Sequence, residues 1–201
     1  MRVSHWLALV VAFAATGCGT NPPPTPSATL APAVPLAADQ RVENPAYTRW
    51  AAAAPGTMVT YTSATDVSGQ VTRGKYMQRL ITRNEGAVEV ESVDLNTADG
   101  KPVGEPQTLK QLRWMGKPGG KGDADPARPA GTYATGEETL TVNGKEYRTR
   151  WYKFKGHVEA GETDTQTWYA ADVPGGLVKS VHAIPAIKKT VTTELAEVKT
   201  P

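Results

Sequence analysis

The chain has 201 residues with 22 Lys+Arg against 20 Asp+Glu, a formal net charge of +2. That near-balance, without a basic stripe, excludes the electrostatic footprint of a nucleic-acid binder, and the length suits one domain with a core rather than two. The 19 Gly and 16 Pro favour turns over long helices, while the single Cys excludes an intrachain disulfide or a cysteine metal cluster.

In chain order, Arg2 gives a short positive start and Trp6 to Ala15 is an uninterrupted apolar run. Small residues follow at Ala14, Ala15 and Gly17. This three-part pattern is that of a secretory signal over residues 1–17. The run falls well short of the ~20 apolar residues that span a bilayer. Ala15-Thr16-Gly17-Cys18 resembles the lipobox of bacterial lipoproteins. The resemblance implies an acylated Cys18 as mature N-terminus, although the pattern prefers Leu or Val where Ala15 stands. Gly19 rather than Asp after the cysteine favours the outer membrane, on its periplasmic or surface side, over the inner membrane. The other reading is ordinary cleavage after Ala14, leaving Cys18 a free thiol.

Residues 18–44 read as the lipidated cysteine and a linker. Pro22, Pro23, Pro24, Pro26, Pro32 and Pro35 sit among Ala, Ser and Thr, a stretch too poor in large apolar residues to build a core and biased to extended conformations. The domain is assigned to residues 45–201. Tyr47, Trp50 and Ala51 to Ala54 predict a short helix, stopped by Pro55-Gly56. Period-two alternation then predicts strands from Met58 to Ser63, Val71 to Arg83 and Ala87 to Leu95, the last two joined by Asn84-Glu85-Gly86. After the Asp99-Gly100 turn comes Thr108 to Trp114. Met115 to Gly131 reads as a long loop. Thr139 to Val142 and Lys145 to Phe154 flank Asn143-Gly144, the preferred pair of a type I′ hairpin. Thr165 to Ala171 and Leu177 to Ala183 flank Val173-Pro174-Gly175-Gly176, whose Pro-Gly centre suits a type II turn. Ile187 to Val198 is the last strand. The fold class is therefore mainly β: an antiparallel meander forming a curved sheet or half-barrel of roughly 7–9 strands, with one short N-terminal helix.

Trp50, Pro55-Gly56-Thr57, Trp168 and the run Val173 to Lys179 give the domain a pattern that resembles the LolA/LolB-like half-barrel proteins of the envelope. The resemblance implies a curved sheet whose concave face can hold acyl chains. It also implies more helix than this sequence offers.

Catalytic signals are sparse. There are three histidines, and His5 lies in the signal. His182, among Val181, Ala183 and Ile184, reads as a structural strand histidine. His157 lies near Glu159, Glu162 and Asp164 but lacks the spacing of a zinc site, so no metal is assigned. No Gly-x-Ser-x-Gly elbow is present. Gly116 to Gly122 fails the phosphate-loop spacing, and Pro126 and Ala127 break the calcium-loop start at Asp123 and Asp125. No cofactor is expected. Trp114, Trp151, Phe154, Trp168 and Tyr169 are candidate ligand-lining residues, with the neighbours Trp151 and Tyr152 required to point to opposite faces of their strand. The leading expectation is a membrane-tethered, non-catalytic module that binds a lipid, another hydrophobic ligand or an envelope protein. The alternatives are an envelope hydrolase using carboxylates such as Glu137, Glu138 and Asp172 in a sheet cleft, and a purely structural lipoprotein. The sequence does not determine the oligomeric state.

Overall fold

The computed structural model describes residues 41–116 and 125–201. Cys18, the signal, most of the linker and the tip of the Met115–Gly131 loop lie outside the described residues. Among the described residues there are eleven strands: β1 (Arg41–Glu43), β2 (Met58–Val67), β3 (Gln70–Arg83), β4 (Ala87–Leu95), β5 (Pro102–Leu112), β6 (Trp114–Gly116), β7 (Thr132–Val142), β8 (Lys145–Val158), β9 (Gly161–Tyr169), β10 (Leu177–Ile184) and β11 (Lys189–Lys199). One α-helix, α1, covers Pro45–Ala51. The mainly β expectation is borne out.

Nine strands make one open antiparallel sheet in the order β5-β4-β3-β2-β11-β10-β9-β8-β7, and β1 pairs with β6 separately. Two hairpin-connected meanders, β2 to β5 and β7 to β11, are joined where β2 pairs along its length with β11. The edges are thus β5 and β7. Pro102 and Pro106 in β5 are tolerated because an edge strand has one side free of ladder bonds.

Local chemistry explains the joints. Asn143 and Gly144 both have positive φ, 51° and 76°, as a type I′ turn requires. The Gly176 N–H donates to Val173 O across Pro174-Gly175, and Gly175 has φ 76°, the type II geometry. The Asn84 side chain accepts from the N–H groups of Gly86 and Ala87 to close the β3–β4 turn. β2 runs four residues past the predicted Ser63, to a two-residue turn at Ser68-Gly69 with Ser68 at φ 54°. Ser is an uncommon residue for that left-handed position, so Ser68-Gly69 is a weaker hairpin signal than Asn-Gly.

Asn44 caps α1 by accepting from the Ala46 N–H at 2.9 Å, and Pro45 occupies the first helical turn. A seven-residue helix is not stable alone, so packing holds it. Tyr47 and Trp50 are buried against Val59, Tyr61, Leu80, Val88 and Val90, and the Tyr47 hydroxyl donates to Asn84 O. We call the sheet face under α1 the inner face. The sheet curls. The Asn143 amide, at the tip of the β7–β8 hairpin, donates to the carbonyls of Leu195 and Ala196 on β11, well removed from β7 in the strand order. Those carbonyls lie where a register shift between Leu195 and Glu197 interrupts the β2–β11 ladder. Val142, Tyr147, Val178 and Leu195 belong to the same buried cluster as Trp50.

Candidate binding face

Alternation along each strand, followed through the register, sorts the side chains onto two faces. On the inner face the row Tyr61, Leu195 is packed under α1 with Val178. The next row is Gly74, Ser63, Thr193, Ser180, Thr167, Tyr152. The one after is Thr72, Thr65, Val191, His182, Thr165, Phe154. In these two rows the inner face is lined by hydroxyls, their methyl groups and aromatic rings, with no Asp, Glu, Lys or Arg; Lys189, opposite Val67, follows in the next row. The outer face is charged. There Arg79 pairs with Glu91 at 2.9 Å and Lys179 with Glu194 at 2.6 Å.

Two glycines keep the inner face low. A Cβ at Gly74 would lie 2.6 Å from Ser63 Oγ, and one at Gly156 would lie 2.9 Å from Thr163 Oγ1. Thr165 Oγ1 and His182 Nδ1 are 2.7 Å apart. Burial, then the nearby Lys189, holds the His182 imidazole below its ordinary pKa, which favours the neutral ring. Three polar atoms on this face are buried without a hydrogen-bond partner among the described residues: the Tyr61 hydroxyl, Thr167 Oγ1 and His182 Nε2. Tyr61 is only 1% exposed and stacks on Tyr76 with ring centroids 5.0 Å apart. Burial first, then Tyr76 and Tyr169, raises its pKa well above the usual phenol value. A buried hydrogen-bonding group left without a partner costs on the order of 1–3 kcal/mol.

One rim of the inner face carries charge. The Arg49 guanidinium of α1 sits 3.8 Å from the centroid of the Tyr169 ring, and Tyr169 and Tyr152 have centroids 6.3 Å apart. Arg150, opposite Tyr169 in the register, lies 3.6 Å from Asp125 Oδ2. The Tyr152 hydroxyl donates to the same carboxylate at 3.5 Å. Burial, then Asp125, raises the Tyr152 pKa, and Arg150 and Arg49 oppose the shift. Gly175 and Gly176 let α1 approach: a Cβ at Gly175 would lie 2.9 Å from the Trp50 ring, and the Gly175 N–H donates to Arg49 O.

The five aromatic candidates do not form one surface. Trp151 and Trp168 face each other across β8–β9 on the outer side, as Trp151 must if Tyr152 points inward. The Trp168 Nε1–H donates to Glu138 Oε1 at 2.5 Å, and Trp168 is 8% exposed. The Trp151 ring lies over Gly136, where a Cβ would come within 2.6 Å of it. Phe154 is on the inner face beside Thr165, and Tyr169 belongs to the charged rim. Trp114 stands apart in the β1–β6 pair, 41% exposed, with the Arg41 and Arg113 guanidiniums 4.6 and 5.0 Å from its ring. Sequence reasoning passed over Arg49, Arg150 and Tyr61, because no spacing pattern links residues so far apart in the chain.

Carboxylates do not converge. Glu137 and Glu138 are strand neighbours that alternate between faces, and Asp172 lies 3.9 Å from Lys145 near the hairpin turn. No group of three or more His, Cys, Asp or Glu with metal-holding geometry occurs among the described residues. Two depressions are evident. One, of about 220 Å³, is lined by Glu137, Glu138, Thr139, Arg148 and Thr149, and one of about 290 Å³ by Tyr47, Ala51, Arg83, Asn84, Glu85 and Arg113. Both have polar linings. No helix of the described residues is long and apolar enough to cross a membrane.

No protein-family model matches the sequence. No curated protein matches it. Among solved structures, the chain is similar to a protein with a YmcC-like fold from Bacteroides fragilis NCTC 9343, at TM-score 0.45 and 13% identity over 74% of this chain and 97% of that one. It is also similar to the lipoprotein LppX of Mycobacterium tuberculosis, at TM-score 0.38 and 12% identity over 73% and 88%. A LolA superfamily protein from Nitrosomonas europaea shows TM-score 0.30 and 6% identity over 77% and 90%. A LolA superfamily protein is thus among the similar structures, as the hairpins and their aromatic flanks led one to expect, and likenesses of this size carry no argument about family or function.

Proposed function

We propose that this chain is a lipid-anchored protein of the bacterial envelope whose inner sheet face binds the apolar part of an amphiphilic ligand without catalysing a reaction on it. The observation that carries the reading is the contrast between the two faces: the two inner rows past α1, from Gly74 to Tyr152 and from Thr72 to Phe154, are uncharged and rich in hydroxyls and methyls, while the outer face carries the ion pairs Arg79–Glu91 and Lys179–Glu194. An uncharged, partly covered sheet face bearing unspent hydrogen-bonding groups suits a ligand that is largely apolar and carries a few polar atoms. Acylation of Cys18 follows from the lipobox-like sequence. Several acyl chains, at ~0.8 kcal/mol per buried CH₂, anchor firmly where one chain does not.

Gentle extraction of the full chain from its membrane, followed by mass spectrometry, tests the ligand. A co-purifying lipid in stoichiometric amount is expected, and protein that is lipid-free under conditions sparing the membrane would sink the reading. The anchor has its own check. Cys18→Ala should move the protein from the membrane to the soluble fraction, and unchanged membrane association would refute lipidation. The Gly19 preference for the outer membrane is tested by fractionating the two membranes.

A further inference from the structure

The charged rim supplies what the uncharged rows lack. Arg49 is half-buried, and no carboxylate among the described residues lies within 4 Å of it; its charge rests on the Tyr169 ring. A partly desolvated guanidinium without a counter-ion is costly unless an anion completes it. Close by, Arg150 and the Tyr152 hydroxyl share the Asp125 carboxylate, at 3.6 and 3.5 Å. Both contacts are long for a charge-assisted pair, whose usual separation is about 2.8 Å. Asp125 is itself tied to its own turn through the Ala127 N–H at 2.9 Å, so it reaches the arginine from a fixed position and does not settle onto it. Glu137, opposite Arg150 on β7, makes no ion pair within 4 Å among the described residues. One carboxylate is thus loosely held where two guanidiniums and a phenol gather at the edge of an uncharged face.

We infer that Arg49, Arg150 and Tyr152 form a head-group site for a carboxylate-bearing amphiphile, with Asp125 occupying it loosely in the unliganded protein. This rests on the reading that the inner face takes the apolar part of the ligand. The ligand carboxylate accepts from both guanidiniums and the Tyr152 hydroxyl, while its chain runs along the Thr167 and Thr165 rows. Asp125 is a competitor: it screens the arginines when no ligand is bound and must yield when one is.

The test uses the full chain and two fluorescent probes of the same alkyl chain, one ending in a carboxylate and one in an alcohol. The carboxylate is expected to bind about tenfold more tightly, the gain of one good charge-assisted contact in a partly desolvated setting. That preference should collapse in Arg150→Gln, whose exposed side chain leaves the fold intact, and in Arg49→Gln. Arg49→Lys should recover part of it, which a merely structural role for Arg49 would not give. Asp125→Asn should tighten the carboxylate probe by a few fold and leave the alcohol unchanged. Equal, saturable binding of both probes would overturn the head-group site and leave the inner-face reading standing. Saturable binding of neither would overturn both. A carboxylate preference untouched by Arg49→Gln and Arg150→Gln alike would place the anion elsewhere and overturn the assignment.

Discussion

Beneath α1 the inner face is packed with Val59, Tyr61, Leu80, Val88, Val178 and Leu195, yet one row further along the same strands it carries Ser63, Thr193, Ser180 and Thr167. The first region buries large apolar side chains and supplies the hydrophobic term that holds the sheet curled. The second contributes little of that term, and in it Thr167 Oγ1 and His182 Nε2 have no hydrogen-bond partner among the described residues. A curled sheet can thus be stabilised from one end, by a short helix and a hairpin tip, leaving the rest of its inner face to binding.

Substitutions separate the two regions, and the largest effects belong to the packed end. Trp50→Ala removes the side chain on which α1 docks and should lower stability by about 3–5 kcal/mol in urea unfolding; a loss below about 1 kcal/mol would mean that α1 is not part of the core. Gly175→Ala combines a positive φ with a Cβ 2.9 Å from the Trp50 ring and should cost about 1–3 kcal/mol. Asn143→Ala forfeits both the left-handed turn preference and the amide bonds to Leu195 and Ala196. About 1–2 kcal/mol is expected, with faster amide exchange at the β7–β8 tip; unchanged exchange there would show that the tip is not clasped to β11.

Acid reaches the open region through His182. Its folded pKa is depressed, by burial and then by Lys189, so the unfolded chain takes up the proton first. The contribution is present above the unfolded value of about 6.5 and fades as pH falls below it. His182→Gln should flatten that slope in melting temperature between neutral and mildly acidic pH, and a slope unaltered by the substitution would assign it to other groups. At the small end, Ser180→Ala should change stability by no more than about 0.5 kcal/mol. A large loss would turn the open region into ordinary core.

Much of the fold was legible because it is local. Asn143-Gly144, Pro174-Gly175 and Asn84 to Gly86 announce their turns by residue type, and alternation marks β3 as a strand without telling the Tyr76–Leu80 side from the Met77–Ile81 side, of which the first is the buried one. The pairing of β2 with β11 was not legible, since no short-range signal joins strands from opposite ends of the domain. Nor was the β1–β6 pair, each strand being three residues long. The site was harder still. Aromatic content drew notice to Trp114, Trp151 and Trp168, which the fold sends to the outer side or to a separate pair of strands. No spacing pattern singles out Arg49 and Arg150, and only the seating of Arg49 on the Tyr169 ring, opposite Arg150 in the register, brings them to one rim.

The most direct measurement plants a charge on each face of one strand. Ser180 points inward and Val181 outward on β10, so saturable binding of a fluorescent acyl probe can be compared between Ser180→Lys and Val181→Lys, each first shown to unfold cooperatively. Binding lost in Ser180→Lys and kept in Val181→Lys is the expected result. Binding kept in both, or lost in Val181→Lys alone, would contradict the assignment of the inner face as the ligand surface.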